Sequence, residues 1–406
     1  MRKATSGHGV SVPSCRIDDG FTFAVVGDLI GPGRPEMPLM RPGFMAVCEL
    51  LKGADVTYAN QEGSIFNIDA FAGYRAAENG GGYPLSSPEV AADILAMGID
   101  VVSKANNHAT DWGTAGLIAT LAHLDAAGVR HCGAGESRAA ARAPAYIETP
   151  KGRVAVLSAA TTFTQMSEAG NADGETRSRP GISVIRTTRA IELPSAQFEE
   201  IRNIAGSLFR ADPSAFDVHS EIQFQYAGDI YRMRSDDGPA RLVYEPSALD
   251  IQEVRKSVRF ARQTADFVAF TIHAHESESA DYTDRRPPQF LRELLTQLIH
   301  DGVDLVAVTG PHELRGVEVV SGKPIFYGLG SFFLEMEGGR GPTADDARAN
   351  NIDPLELTNG EYIYSRYKLP DDWYDSIAAV VEMASGVMNR IASVEFSVGD
   401  IVPVSP

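Results

Sequence analysis

Long apolar runs are what this chain most plainly lacks. No stretch approaches the roughly 18 residues that a membrane-spanning helix requires. Met1–Asp19 is polar, rich in Gly and Ser, and has no apolar centre of the kind a secretory leader carries. Val12-Pro13-Ser14-Cys15 has the outline of a lipoprotein processing site, but the apolar stretch that should precede it is missing. Cysteine is scarce as well. Cys15, Cys48 and Cys132 are odd in number and have no metal-ligand spacing, which reads as reduced thiols rather than a disulfide frame or a zinc site. Positive charge is in deficit: 36 Lys and Arg stand against 54 Asp and Glu, for a net charge of −18. That field excludes a nucleic-acid backbone as a natural partner and disfavours an anionic membrane surface. Together the absences lead to the expectation of a soluble, cytoplasmic protein with no nucleic-acid and no membrane partner. No internal repeat is visible either.

What is present is an ordinary globular composition, 44% hydrophobic and 22% charged. A chain of 406 residues can form one α/β catalytic unit if it carries insertions. Residues 1–19 are expected to be a flexible tail and 20–406 a single catalytic domain, with insertions at about 161–250 and 334–372 covering the site.

Five polar motifs end five apolar, strand-like runs. Phe21–Val26 ends in Gly27-Asp28, and Asp55–Ala59 in Asn60-Gln61-Glu62-Gly63. Asp100–Ala105 ends in Asn106-Asn107-His108, Phe267–Ile272 in His273-Ala274-His275, and Asp304–Val308 in Gly310-Pro311-His312. Ligands of open α/β sheets collect at the carboxyl ends of the strands. Carboxylates, amide oxygens and imidazoles converging there would make a hard-to-borderline metal site.

Between these runs the pattern alternates strand and helix up to Ala160. Ser87–Gly98 reads as a helix with Ser at the cap and Pro at its first turn, burying Val90, Ile94 and Leu95; Thr114–Ala127 reads as another, closed by Gly128. From Thr161 to about Asp250 the rhythm breaks into an irregular, Arg-, Asp- and Ser-rich stretch holding one helix, Ser195–Phe209. It resumes with the helix Ile251–Thr264, the strand into His273, the helix Pro288–Asp301 and the strand into Gly310. Gly316–Val320 and Pro324–Tyr327 flank Ser321-Gly322 as a hairpin, and Ser376–Met383 with Ile391–Phe396 read as closing strands. Two packed mixed sheets with helices outside follow from this order.

Each candidate has an ordinary reading. Asp28 could be a helix cap, Glu62 a solvated acid, and a lone strand histidine a core residue. Asn60 and Glu62 leave their strand two residues apart and can face the same way, as can His273 and His275. Two amides and an imidazole at one strand end are costly to bury unless partnered. An Asn carbonyl there can bind a metal while the adjacent His108 does acid/base or oxyanion work, and Asp111 either caps the following helix or orients His108.

The order VVGDLI, NQEGSI, KANNHATDWG, TIHAHE and GPHELRGVEVVSGKPIFYGLGSFF resembles the CapA family of poly-γ-glutamate synthesis proteins, relatives of the calcineurin-like metallophosphoesterases. The resemblance covers Phe21–Ser158 and Asp266–Phe333 and implies a four-layer αββα sandwich of two mixed sheets flanked by helices, with a metal centre at the strand ends. It implies Asp28, Glu62, Asn107, His273 and His312 as metal ligands, with Asn60, His108 and His275 beside them; Asn106, Asp111 and Thr309 are expected to support these or touch substrate. Three positions depart from the family pattern. Ile30 stands where the phosphoesterases carry His, Thr309 where the first His of His-Gly-Pro-His is usual, and Ser331 where Gly-Asn-Phe is usual.

With two imidazoles gone, the donor set suits one divalent ion (Mn, Mg, Ca or Zn) or a weakly held pair, without an organic cofactor. The sequence resembles a branch of the family that inverts a Cα centre in a ribosomally made lasso precursor peptide. The expected activity is therefore metal-assisted epimerisation of a precursor peptide, with Asp28 and His312 as the acid/base pair and His108 steadying the enolate. The alternatives are a metal-dependent hydrolase of phosphoester or γ-glutamyl substrates, with His108 as acid, and a non-catalytic binding protein of polymer export.

Overall fold

The structure is a computed structural model; it describes residues 15–30, 42–208, 220–236, 238–279, 281, 284–334, 347, 348, 351, 353 and 371–397. The first sheet takes its strands from both ends of the chain. β1 (Phe21–Ile30), β2 (Val56–Glu62), β3 (Val101–Ser103) and β4 (Arg130–Cys132) lie parallel in that order. α1 (Pro42–Lys52), α2 (Val90–Ala96) and α3 (Gly113–Ala127) are the crossovers between them. The second sheet adds β5 (Ala145–Thr149) and β6 (Gly152–Ala160), then, beyond an insertion, β11 (Phe267–His273), β12 (Leu305–Thr309), and the hairpin β13 (Val317–Val320) and β14 (Lys323–Phe326). Its order is β13-β14-β12-β11-β6-β5, with β6, β11, β12 and β14 parallel. The chain then returns to the first sheet through β15 (Ser331–Leu334), β16 (Asp375–Ala384) and β17 (Val387–Ser397).

Period-two alternation sorts the side chains into layers. Phe21, Phe23 and Val25 of β1, with Val56 and Tyr58 of β2, face the second sheet and pack on Val154, Val156, Phe267, Ala269, Leu305 and Ala307. Their neighbours Ala24, Val26 and Ala59 face the other way, onto Val47, Leu51, Ile94, Leu117 and Leu124 of α1 to α3. On the far side, Val268, Phe270, Val306 and Val308 meet Val254 and Val258 of α5 (Ala248–Thr264) and Leu291, Leu295 and Leu298 of α6 (Gln289–Asp301). This is the expected αββα sandwich. Each fully buried Phe or Leu contributes about 1.5–3 kcal/mol, so the strands are held on both faces and their ends make a firm platform.

β1 is split between two partners. Phe21–Val25 pairs antiparallel with β16, while Asp28–Ile30 pairs parallel with β15. A register shift lies between Val25 and Asp28. Gly27 occupies the shift because a Cβ there would lie 1.7 Å from the Gly330 carbonyl oxygen. The break turns the Asp28 side chain into the crevice between the sheets.

Several sequence expectations need correcting. The stretch after Thr161 is not all irregular: β7 (Thr187–Leu193), β8 (Gln223–Tyr226), β9 (Asp229–Met233) and β10 (Arg241–Pro246) form a separate four-stranded sheet in the order β8-β9-β7-β10. With α4 (Ser195–Leu208) it closes a small core of Leu193, Phe198, Ala205 and Phe224. Its outer face carries Arg232–Glu245 and Arg241–Glu192 pairs across strands, and Arg189–Asp229 breaks the apolar alternation of the inner one, so the sequence pattern is diluted by charge. Residues 15–19 are not free tail, since Cys15 and Ile17 are buried in the inter-sheet core; residues 1–14 lie outside the described residues. So does most of the expected insertion at 334–372. α2 begins at Val90 rather than Ser87, its cap is Glu89 without a side-chain bond, and Leu95 is exposed. α3 ends as expected, with Gly128 left-handed at φ +84°. The hairpins β13–β14 and β16–β17 turn on Ser-Gly pairs with positive φ, Ser321-Gly322 and Ser385-Gly386, as tight two-residue turns require. No helix of the described residues is long and apolar enough to cross a membrane.

The extra sheet is tied to the main body at the start of α5. Arg186 grips Asp250 through Nε and Nη2, both at 2.8 Å, and Arg142 approaches from the other side at 3.4 Å. Burial opposes the charge on Asp250, but the arginine bonds win and hold its carboxyl below the usual range. A carboxylate with a depressed folded pKa gives stability that is full above its unfolded value of about 3.9 and is lost as pH falls through the folded value. Asp250→Asn is therefore expected to cost about 2 kcal/mol at pH 7. Urea midpoints of the two proteins should converge as the pH is lowered beneath the carboxylate range.

Candidate metal centre

All five strand endings meet at one end of the crevice. Asn60 is the hub. Its amide nitrogen lies 2.8 Å from Asp28 Oδ1, 3.2 Å from Glu62 Oε2 and 3.3 Å from His273 Nδ1. Its oxygen accepts from Ser103 Oγ at 2.6 Å and from Asn106 Nδ2 at 3.2 Å. Asn60 and Asn106 thus brace the other groups rather than face open space, and both are fully buried.

Glu62 sits at the centre. It is wholly buried, and its Oε1 has no hydrogen-bond partner. Three imidazole nitrogens surround that oxygen: His273 Nε2 and His312 Nε2 at 3.8 Å each, and His108 Nε2 at 3.9 Å. These spacings are too long for hydrogen bonds and suit donors arranged round a cation. Burial, and then the neighbouring Asp28 charge, push the Glu62 carboxyl well above its ordinary range. A positive ion would reverse that cost.

His273 Nε2 also lies 2.8 Å from Asn107 Oδ1 and 3.0 Å from His275 Nε2. Asn107 Nδ2 donates to the Gly80 carbonyl at 2.7 Å, so the amide is fixed with its oxygen toward His273. Burial, followed by the adjacent His275, drives His273 well below the usual imidazole value; burial, followed by His312, takes His275 to about 3. Neutral imidazoles are what a metal needs. Glu62, His273 and His275 form one group of converging donors, and Asp28, Glu62 and His312 form a second that shares Glu62. The orphaned buried oxygen, the convergent nitrogens and the mixed carboxylate, amide and imidazole set fit a divalent ion.

Two imidazoles are each held by their own carboxylate. His108 Nδ1 lies 2.6 Å from Asp111 Oδ2, while Asp111 Oδ1 accepts from the Gly80 amide at 2.8 Å. Asp111 is therefore an orienter and not a helix cap; α3 is capped at Trp112 without a side-chain bond. His312 Nδ1 lies 3.0 Å from Asp28 Oδ2, which also accepts from the Gly310 amide at 3.2 Å. Burial acts to raise the Asp28 pKa, but the His312 and Asn60 bonds outweigh it and keep the carboxyl low. His312 stands at φ +56°, uncommon for a side chain with a Cβ, and Gly310 at φ +104°. A Cβ at Gly310 would come within 3.0 Å of both the His273 and His275 rings, so only glycine allows this approach. Thr309 Oγ1 reaches His273 Nδ1 at 3.3 Å.

One expected role is corrected by this geometry. The sequence reading makes Asp28 and His312 an acid/base pair working from opposite sides of a substrate, but they are hydrogen-bonded to each other. They form a single unit, and the second unit is His108 with Asp111 rather than His108 alone beside an enolate.

Other neighbours lie outside the expected set. Lys104 is buried, and its Nζ donates to the carbonyls of Gln61, at 3.1 Å, and Gly63. Burial lowers its ammonium to about 7 against the pull of Asp111 and Glu62. Glu276 accepts from Thr161 Oγ1 at 2.8 Å and Thr162 Oγ1 at 3.1 Å, pinning the chain after β6 to the end of β11. Burial raises its carboxyl. Trp373 stands edge-on to His312 with ring centres 5.9 Å apart. Lys104 opens the motif KANNHATDWG amid the buried run Val101–Ala105 and Glu276 closes TIHAHE, so both had a signal in sequence, while Trp373 had none.

Comparison with known proteins agrees with the strand-end motifs. The chain is 40% identical over 317 residues to the uncharacterized protein y4sH of Sinorhizobium fredii (strain NBRC 101917 / NGR234), covering 78% of this chain and 67% of that one. It is 27% identical over 253 residues to a probable polyglutamine synthesis accessory protein, MT0602, of Mycobacterium tuberculosis, covering 62% of this chain and 49% of that protein. Among solved structures, a hypothetical protein from Thermus thermophilus is similar with a TM-score of 0.36 at 10% identity, covering 93% of this chain and 99% of that one. A crystal structure described as a novel phosphatase, Mycoplasma pneumoniae, is similar with a TM-score of 0.37 at 8% identity, covering 94% and 95%. Residues 22–336 match the family described as bacterial capsule synthesis protein PGA_cap, most of the chain and every motif of the crevice, and the chain belongs to that family.

Proposed function

We propose that this protein is a metal-assisted peptide epimerase, removing the hydrogen from a peptide Cα with one imidazole and returning one from the other. One observation carries the reading. Two histidines, each gripped at Nδ1 by its own buried carboxylate, present Nε2 at 3.8 and 3.9 Å from the same Glu62 oxygen. An Nδ1–H donated to a carboxylate leaves Nε2 free to take or give a proton. Inversion needs two such groups, one for each face of the carbon, whereas a hydrolase needs one general acid.

Glu62 Oε1, Asn107 Oδ1 and the Nε2 atoms of His273 and His275 would hold the ion, which leaves His312 Nε2 to the proton. When bound, a divalent ion would supply Lewis-acid chemistry at the carbonyl beside the reacting carbon, lowering the cost of removing its hydrogen. Asn60 holds the carboxylates and His273 in register. The acidic field of the chain suits a neutral or cationic peptide, and the substrate class we assign is a ribosomally made precursor peptide of the lasso kind, met in the cytoplasm.

A second reading is a metal-dependent hydrolase of phosphoester or γ-glutamyl substrates. It is favoured by membership of a capsule-synthesis family and by the mycobacterial relative's description as a probable polyglutamine synthesis accessory protein. In that case the His108–Asp111 pair protonates the leaving group. Incubation of metal-loaded protein with precursor peptide in deuterated water separates the two. Epimerisation places one deuterium at a single Cα and yields the D-residue on hydrolysis and chiral chromatography. Unchanged peptide, with phosphate released from a phosphoester or an amine from a γ-glutamyl peptide, decides for the hydrolase.

A further inference from the structure

We infer that Lys104 is a positioning residue for Glu62, fixing that carboxylate for its cation by clamping the backbone on both sides of it. Its Nζ donates to the carbonyl of the residue before Glu62 (Gln61, 3.1 Å) and to that of the residue after it (Gly63). The inference rests on the reading of Glu62 as a metal ligand. The Gln61 carbonyl belongs to the peptide plane that leads into Glu62 and the Gly63 carbonyl to the plane just past the turn, so one ammonium ties the two ends of the short segment that carries Glu62. The Gln61 carbonyl has a second donor, Asn106 Nδ2 at 2.9 Å.

The arrangement needs a cause, because a lysine with no exposed surface is costly to bury. It contacts no carboxylate directly; both of its bonds go to backbone oxygens. A lysine retained only for charge balance would reach Glu62 or Asp111 themselves. Here the cost is met at the one turn where backbone geometry decides where Glu62 Oε1 lies. The turn bends at a glycine, and its other fixings are Asn60 on Glu62 Oε2 and the Ser64 amide on the Pro84 carbonyl. Gly63 has φ +128°, and Glu62 Oε1 has no partner of its own. Groups that orient a metal ligand without touching the metal are commonly worth about 10–100-fold in affinity.

The test is Mn(II) titration of wild-type, Lys104→Met and Lys104→Gln proteins, read by the electron paramagnetic resonance of free Mn(II), with circular dichroism as the check of folding. Both variants are expected to fold and to bind Mn(II) about 10–100-fold more weakly, with Gln, which keeps one donor, the less impaired. Affinity within threefold of wild type in either folded variant overturns the role of Lys104 while leaving the metal centre standing. Failure of both variants to fold also overturns it, since the lysine would then be holding the chain and not the ligand. A wild-type protein that binds no Mn(II) overturns the metal centre itself, and Lys104's role with it.

Discussion

Replacing His108 or His312 with alanine should reduce interconversion of the two peptide epimers roughly a thousandfold, and each variant should fail in its own way. In the wild-type crevice both Nε2 atoms flank Glu62 Oε1, while Asp111 and Asp28 hold the opposite ring nitrogens. In the proposed epimerisation, losing one imidazole removes the group that would serve one face of the reacting carbon and leaves the other in place. His108→Ala should therefore still exchange the Cα hydrogen of one epimer with deuterated solvent, and His312→Ala that of the other, though neither inverts the centre. Mass spectrometry of each pure epimer in deuterated water reads this directly. Loss of exchange from both epimers in both variants would contradict the two-pair account and favour a single general acid.

The second large effect belongs to Glu62. Glu62→Gln keeps the shape of the side chain and removes its charge, and Glu62 belongs to both groups of converging donors. The variant should lose bound metal, measured as ions per chain by inductively coupled plasma mass spectrometry, and with it roughly a thousandfold or more of activity. Its fold should survive and become somewhat more stable without metal. Burial and the Asp28 charge both penalise a carboxylate at this position, and a neutral amide removes that penalty. A higher urea midpoint together with lost metal is the signature of a site kept for function at the expense of stability.

How much of this could be read from the chain depended on burial. The strands into Asp28, Glu62 and His273 are sandwiched on both faces, so they appear as apolar runs, and the first polar residues after them stand out. Topology then does the rest, because parallel strands deliver those residues to one end. The sheet formed by β7 to β10 was missed for the opposite reason: one face is exposed and carries arginines and carboxylates in cross-strand pairs, so its alternation is diluted by charge. Lys104 opens the motif KANNHATDWG, but a lysine at the end of a short strand is usually a surface residue, and only the fold brings the carbonyls on either side of Glu62 within its reach. The roles of Asp28 and Asp111 were open in sequence, since a carboxylate after a strand can cap, ligate or orient. Their distances to His312 and His108 are what decide.

The central claim, that the strand ends enclose one cation-holding pocket, is tested most directly by anomalous diffraction from crystals grown with Mn(II), comparing wild type with Glu62→Gln. The account predicts a manganese peak in the wild-type crystal bonded to Glu62 Oε1, Asn107 Oδ1 and the Nε2 atoms of His273 and His275, and none there in the variant. A peak elsewhere in the molecule, or an undiminished peak in the Glu62→Gln crystal, would contradict it.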